Sequence, residues 1–466
     1  MPIEKRICAD CVSDDYLKDE IAASMVQDLE CDYCHSVQPT IDMGHLAKRC
    51  DKVLEDFYEV SSLTDAVVFY DRDPQGEPLV DILDNLIGAS ERAPIEDLEK
   101  ILSEMWFDFS SHEHIYGEDP WFIEKTKLAE PLNESWRKIE RSLKHEARFI
   151  NPEAARMLES VFGPVLDDRT YEGHSVIVEV SLQHEINTLY RARVFQTLTA
   201  LEQALNHPEF HLGPPPSGMG AAGRMNAKGV SVFYGATEKM IALSEVRPPV
   251  GSHVVVASFK VIRTLRLLDL QKLGTIMLKP MSSPFNPITA TEASRRDFLA
   301  ALTKKMVMPV MPELEGEGYL ITQVIADFLS THSSLKLDGI LFPSAQNTLS
   351  PSDESSRNVI LFNKASIVID AGASPRNKTE VSLWEYEDEN SWFNPEITTI
   401  TPESESSSAR HSWELEKQIE PSLELDRDSL EVHKVCRVEI VTESHKVSHF
   451  KYSSQEDGRT TSNIPF

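Results

Sequence analysis

The chain has 466 residues, 41% hydrophobic and 26% charged, with a formal net charge of −29 and six cysteines. That length and apolar share provide for two or three packed domains, while no stretch approaches the roughly 20 apolar residues that cross a bilayer. The acidic balance disfavours a general nucleic-acid surface, because phosphate neutralisation supplies most of such a protein's affinity. It suits solubility and an acidic tail instead.

At the N-terminus, Met1-Pro2-Ile3-Glu4-Lys5-Arg6 runs into a cysteine pair with no apolar leader-like stretch, so the expectation is a cytoplasmic protein with reduced thiols. Cys8-x-x-Cys11 and Cys31-x-x-Cys34 are separated by nineteen residues. This is the two-knuckle spacing that points four thiolates at one tetrahedral zinc ion. A polar segment of 45 residues buries little core, so a structural Zn²⁺ would supply its folding energy. Four thiolates leave no open position for catalysis. Cys50 and Cys436 have no partners by spacing and read as packing residues.

Residues 46–165 read as mostly helical. Leu46, Val53, Leu54 and Phe57 recur at helical spacing, as do Leu98, Ile101, Leu102, Met105 and Trp106 after the Ala93-Pro94 start. Trp121, Trp136, Ile139 and Leu143 continue the pattern. Asp71 to Gly76 resembles the opening of a calcium loop, but its twelfth position is Ile82 rather than a bidentate Glu, so it reads as a turn.

Phe162-Gly163-Pro164 closes this block, and the pattern changes to period two. Val176–Val180, Leu189–Phe195, Val230–Tyr234, Val254–Val261 and Val359–Phe362 read as strands. Helical patterns fall between them at Glu238–Val246, Ala290–Met306 and Leu320–Ser330. Gly218 to Gly223 matches GxGxxG by letter, yet three prolines precede it and a strand follows, so it reads as a loop rather than a dinucleotide fingerprint. Residues 376–431 are acidic and serine-rich, which suggests a flexible linker. Trp384, Trp392, Phe393 and Trp413 compete with that reading as residues that dock back on the body. Val432, Val435, Val438 and Ile440 alternate as a hairpin would.

The resulting fold class is multidomain α+β: a small zinc-binding knuckle module (1–45), a helical domain (46–165), a mixed α/β domain (176–370) and an acidic tail with a terminal β-hairpin over 430–452 (371–466).

One ordered set of residues carries chemistry. Tyr190-Arg191-Ala192-Arg193 comes first, then Gly223-Arg224-Met225-Asn226, Val232-Phe233-Tyr234-Gly235 and Ala242-Leu243-Ser244-Glu245-Val246-Arg247. Leu337-Asp338-Gly339-Ile340-Leu341-Phe342-Pro343-Ser344 closes it. This set resembles the RES family, related in fold to ADP-ribosyltransferases. The block before it, with Lys144-His145-Glu146-Ala147-Arg148, resembles the HEPN-like region found beside some RES domains.

The resemblance implies NAD⁺ as substrate, consumed by hydrolysis, phosphorolysis or ADP-ribosyl transfer, and a toxin or defence effector restrained by an inhibitory, antitoxin-like protein. Residue by residue, it implies Glu245 beside the ribose, Arg224 and an upstream arginine on the pyrophosphate, and Ser344 on phosphate or ribose. The residue types suit this role. A carboxylate stabilises an oxocarbenium-like state, guanidinium grips phosphate oxygens, and Tyr234 offers a stacking face. Arg191 and Arg193 point the same way on a strand, so spacing does not choose between them. Two other functions compete: a zinc-ribbon and HEPN RNase using Arg141 and His145, and a regulatory scaffold that binds ADP-ribose without turnover.

Overall fold

The computed structural model describes residues 4–24, 29–61, 74–117, 119–125, 128–146, 150–277, 283–308, 318–344, 356–370, 378–387, 390–400, 420–439 and 442–449. Asp71–Asp73, Ala147–Phe149, Ser406–Ser408 and Trp413 lie outside these residues.

In the N-terminal part, Arg6–Cys8 pairs antiparallel with Thr40–Asp42. Four helices follow the expected periodicity: α1 (Asp15–Ala22), α2 (Met43–Phe57), α3 (Leu79–Ile87) and α4 (Ala93–Met105). Asp14 and Asp42 cap the first two by accepting backbone N–H groups. Their apolar faces make one core, in which Cys8, Cys11, Cys31 and Tyr33 pack together with Leu46, Val53, Leu98 and Trp106. Trp121, expected on a helix, instead begins the strand Trp121–Glu124, which pairs with Tyr58–Val60. Its neighbour Phe122 turns into the core, a period-two arrangement that helical spacing does not describe.

Helices α5 (Glu130–His145) and α6 (Pro152–Phe162) turn their apolar faces elsewhere. Trp136, Ile139, Leu143, Met157 and Phe162 pack with Leu268, Ile340 and Ile360 of the large sheet.

That sheet has nine strands: β1 (Ile177–Val180), β2 (Thr188–Phe195), β3 (Phe233–Ala236), β4 (His253–Val261), β5 (Leu265–Asp269), β6 (Gly339–Pro343), β7 (Arg357–Leu361), β8 (Val368–Ile369) and β9 (Leu423–Lys434). Their order is β1-β5-β6-β7-β3-β2-β4-β9-β8, with β5–β6 and β8–β9 parallel. Helices α7 (Leu198–Asn206), α8 (Lys239–Glu245), α9 (Pro287–Val307) and α10 (Leu320–Thr331) connect and cover it. One face carries α5, α6, α9 and α10. The other carries α7 and the ribbon Lys378–Glu387/Asn390–Ile400.

The tail therefore differs from its expected form. Lys378–Glu387 and Asn390–Ile400 pair as an antiparallel ribbon that docks through Leu383 and Phe393, and the strand expected as part of a terminal hairpin is Leu423–Lys434, paired to β4 within the sheet. Described residues 435–439 and 442–449 form no strand. Leu423 and Leu425 are buried while Glu424 between them is half-exposed, so the acidic composition conceals an amphipathic strand.

Candidate active site

The sheet is nearly split at its centre. β2 pairs with β4 along its whole length, from Thr188↔Lys260 to Phe195↔His253, but meets β3 at the single pair Tyr190↔Ala236. β3 belongs on its other side to β7, from Phe233↔Leu361 to Ala236↔Asn358. Most of the residues singled out from sequence border this junction.

Alternation along β2 places Arg191 and Arg193 on one face, but their partners differ. Exposed Arg193 donates from Nη1 to the carbonyl of His211, at 2.6 Å. Arg191 has its guanidinium 5.2 Å from the Phe233 ring centroid, and its buried Nη1 has no partner. Burial, assisted by the charge of Arg193, lowers its pKa to about 10.

Across the junction, Gly223 to Asn226 forms a tight turn in which the Gly223 N–H donates to the Asn226 carbonyl at 3.0 Å. The Tyr234 hydroxyl donates to Asn226 Oδ1 at 2.8 Å and accepts from the Met225 N–H at 3.2 Å. Asn226 Nδ2 in turn donates to the carbonyls of Ala221 and Val230, at 2.8 and 3.0 Å. A side chain at Gly223 would meet Asn226 Oδ1 and Tyr234 Oη at 2.5 and 2.6 Å, so the turn requires glycine. Burial pushes the Tyr234 phenol up to about 12, which keeps it a neutral clasp. The Arg224 guanidinium donates to the carbonyls of Met306 and Val307, at 3.0 and 2.6 Å, and lies 5.7 Å from the Tyr319 ring centroid. A cation is favoured there, at the carbonyl end of α9.

Glu245 ends α8, exposed, and its Oε2 accepts from Asn358 Nδ2 at 3.1 Å. Ser344 follows the last residue of β6, Pro343, which pairs with Arg357. Arg357 is buried, donating to Gln271 Oε1 with Asp269 4.0 Å away. A cavity of about 600 Å³ adjoins this end of the sheet. Pro343, Gln271, Val307 and Lys304 are among its walls, so it borders partners of Arg224 and Arg357 and the residue before Ser344.

Asn226 stands in the sequence motif without a role, and Arg357 and Asn358 escaped the sequence reading. The available signal was polar residues in unusual company: Arg357-Asn358 opens the apolar run Val359-Ile360-Leu361-Phe362.

The cysteines meet. Cys8, Cys11, Cys31 and Cys34 Sγ atoms all lie within 4.8 Å of one another, with edges of 3.6 Å (Cys8–Cys11), 3.4 Å (Cys8–Cys34) and 3.8 Å (Cys11–Cys31). A tetrahedron with Zn–S bonds of about 2.3 Å has edges of about 3.8 Å, so the set fits that ion. Burial pushes the Cys8 and Cys11 thiols up, whereas hydrogen bonds from Ser36 hold Cys34 at about 6. Three buried thiols cannot share negative charge without a cation, and a divalent ion would supply it.

Arg141 and His145 do not form a comparable site. Both are exposed on α5, and Arg141 Nε donates to the Arg137 carbonyl at 3.4 Å. The buried face of α5 packs on the sheet.

Residues 188–383 match the family model of the RES domain. The chain carries a RES domain. No curated protein and no solved structure matches the chain. The RES match begins at the first residue of β2 and takes in Arg191, Arg224, Tyr234, Glu245, Ser344 and Asn358. β1 and β9 lie outside the match yet hydrogen-bond within the same sheet. RES domains are broadly associated with NAD⁺-acting enzymes and toxins. Among the described residues, no helix is long and apolar enough to cross a membrane.

Proposed function

We propose that this chain is an NAD⁺-consuming enzyme that breaks the bond between nicotinamide and ribose. The observation that carries the reading, beside the RES match, is Arg191: a buried guanidinium with an unanswered donor at the junction of the half-sheets. Such a group calls for an anion, and the pyrophosphate of NAD⁺ is one with the matching bidentate geometry. Arg193, already bound to His211, is a weaker choice.

The chemistry assigned to the site is a dissociative displacement. The C–N bond electrons pass to the pyridinium ring, nicotinamide leaves neutral, and positive charge develops on the ribose. Glu245, a carboxylate at the end of α8 held by Asn358, stabilises that charge and accepts from a ribose hydroxyl. Tyr234 and Asn226 keep the 223–226 turn in shape, and Arg224 ties that turn to α9. Ser344, next in sequence to the cavity-lining Pro343, donates to phosphate or ribose. The acceptor is water, phosphate or a protein side chain. A Zn²⁺ ion held by Cys8, Cys11, Cys31 and Cys34 is structural, organising the N-terminal core rather than the reaction. Unrestrained turnover would drain the cell's NAD⁺, so the reading includes a toxin or defence role, in the cytoplasm, with an inhibitory protein partner.

The test is NAD⁺ turnover by purified protein with and without phosphate, comparing wild type with Glu245→Gln. Turnover in the wild type, reduced by about 10²–10⁴-fold in the variant, is the expected result. ADP-ribose or its 1-phosphate as product names the acceptor. Folded wild-type protein that neither binds nor consumes NAD⁺ overturns the reading.

A further inference from the structure

β7 is buried along its whole length, and Asn358 is a neutral polar side chain near its start, 3% exposed. Its cross-strand neighbours are Phe342 on β6 and Ala236 on β3. Neither side chain can hydrogen-bond. The amide orientation is fixed by chemistry: Glu245 is a carboxylate and only accepts, so the group facing it at 3.1 Å must be Nδ2. The oxygen is thereby directed elsewhere, and Oδ1 is buried with no donor. Buried acceptors without partners are rare in folded proteins, and each one asks for an explanation.

We infer that Asn358 is a substrate-positioning residue whose Oδ1 accepts a hydroxyl of the nicotinamide-bearing ribose, beside the hydroxyl held by Glu245. The inference rests on the NAD⁺ reading and deepens it. Glu245 and Asn358 are linked by one hydrogen bond, so their free oxygens form a pair of adjacent acceptors, one charged and one neutral. A vicinal diol presents two adjacent O–H donors and satisfies both. The pyrophosphate of NAD⁺, whose esterified phosphates carry no O–H at neutral pH, satisfies neither. The division of labour follows from charge. The carboxylate responds to positive charge developing on the ribose and governs kcat. The amide oxygen gains little as that charge grows, so it holds substrate and transition state about equally and governs KM. Asn358 also keeps Glu245 in place, and the two roles separate experimentally.

The experiment measures initial rates of wild type and Asn358→Leu with NAD⁺ and with the analogue lacking the 3-hydroxyl of the nicotinamide-bearing ribose. The wild type is expected to show a KM raised roughly tenfold for the analogue, the usual cost of leaving one buried acceptor unpaired. The leucine variant is expected to lose this discrimination and treat both compounds alike. Equal KM values for the two compounds in the wild type overturn the inference, even if the leucine variant fails to fold. A leucine variant that still discriminates tenfold overturns it too, leaving Asn358 as a support for Glu245 alone. Wild-type protein inert toward NAD⁺ itself overturns the proposed function, and this inference with it, and is distinguished by the absence of any rate to compare.

Discussion

The cysteine-bearing core and the sheet core solve the problem of polar burial in opposite ways. In the first, most buried polar groups answer one another, with Arg49 Nε on α2 the exception. Tyr33 and Lys5 both reach Asp97, at 3.0 and 2.6 Å, and the thiols converge on a common centre. At the centre of the sheet, Arg191 Nη1 and Asn358 Oδ1 are left unanswered. Convergent thiols and a shared carboxylate hold a shape, whereas a donor and an acceptor left idle within one sheet are open to a ligand. The contrast fits a structural role for the first and, on the function proposed above, a binding role for the second.

Removing the metal is the harshest way to test that division. Chelation, or Cys11→Ser, is expected to cost the N-terminal core about 10 kcal/mol, the scale of zinc-coupled folding. Elemental analysis should find one zinc per chain, and hydrogen exchange should show protection lost across the helices α1 to α4 while β2 to β7 stay protected. Loss of protection in both cores would show that they melt as one unit and would break the comparison. A gentler probe is Phe285, 1% exposed, which precedes α9 but packs in the N-terminal core. Arg49 donates to its carbonyl, and Ser283 donates to Asp14 at 3.0 Å. Phe285→Ala is expected to cost about 3–5 kcal/mol in denaturant titration.

The smallest effect is the most discriminating. Arg191→Met removes a donor that is unpaired in the free protein, at the loss of a cation–π contact. The variant is expected to be about 1 kcal/mol more stable than wild type while losing NAD⁺ binding, checked by thermal unfolding and calorimetry. Burial lowers the Arg191 pKa to about 10, so the folded state binds its proton less tightly than the unfolded state does. That penalty is fully present at neutral pH and is relieved only as pH rises past about 10, so the stability difference should be flat between pH 6 and 9. Destabilisation instead would make Arg191 part of the scaffold.

Much of this architecture is legible in the residues. Period-two alternation marks β2 and β4, and helical spacing marks α8, α9 and α10 to within a few residues. The strand read at Val230–Tyr234 begins later, at Phe233, because Ser231 donates to the Pro215 carbonyl and holds the segment to the loop. β5 and β6 went unread because they pair in parallel and are largely buried on both faces, so they lack alternation. The ribbon at 378–400 buries little besides Leu383, which leaves too thin a stripe to stand out from its acids. At the site, type and order single out Glu245 and the pair Arg191 and Arg193 as candidates. The distinction from Arg193 depends on His211, whose carbonyl arrives from another segment, and no local pattern reports it.

β9 has one further consequence. It covers the edge of β4 from Val261↔Leu423 to His253↔Lys434, yet residues 262–422 separate the two in sequence. During synthesis, every residue named at the site has left the ribosome while that edge is still bare, its backbone groups unpaired. β4 is the neighbour that braces β2 and Arg191. The order of translation thus leaves the edge of β4 as the last part of this sheet to be covered, when β9 is delivered.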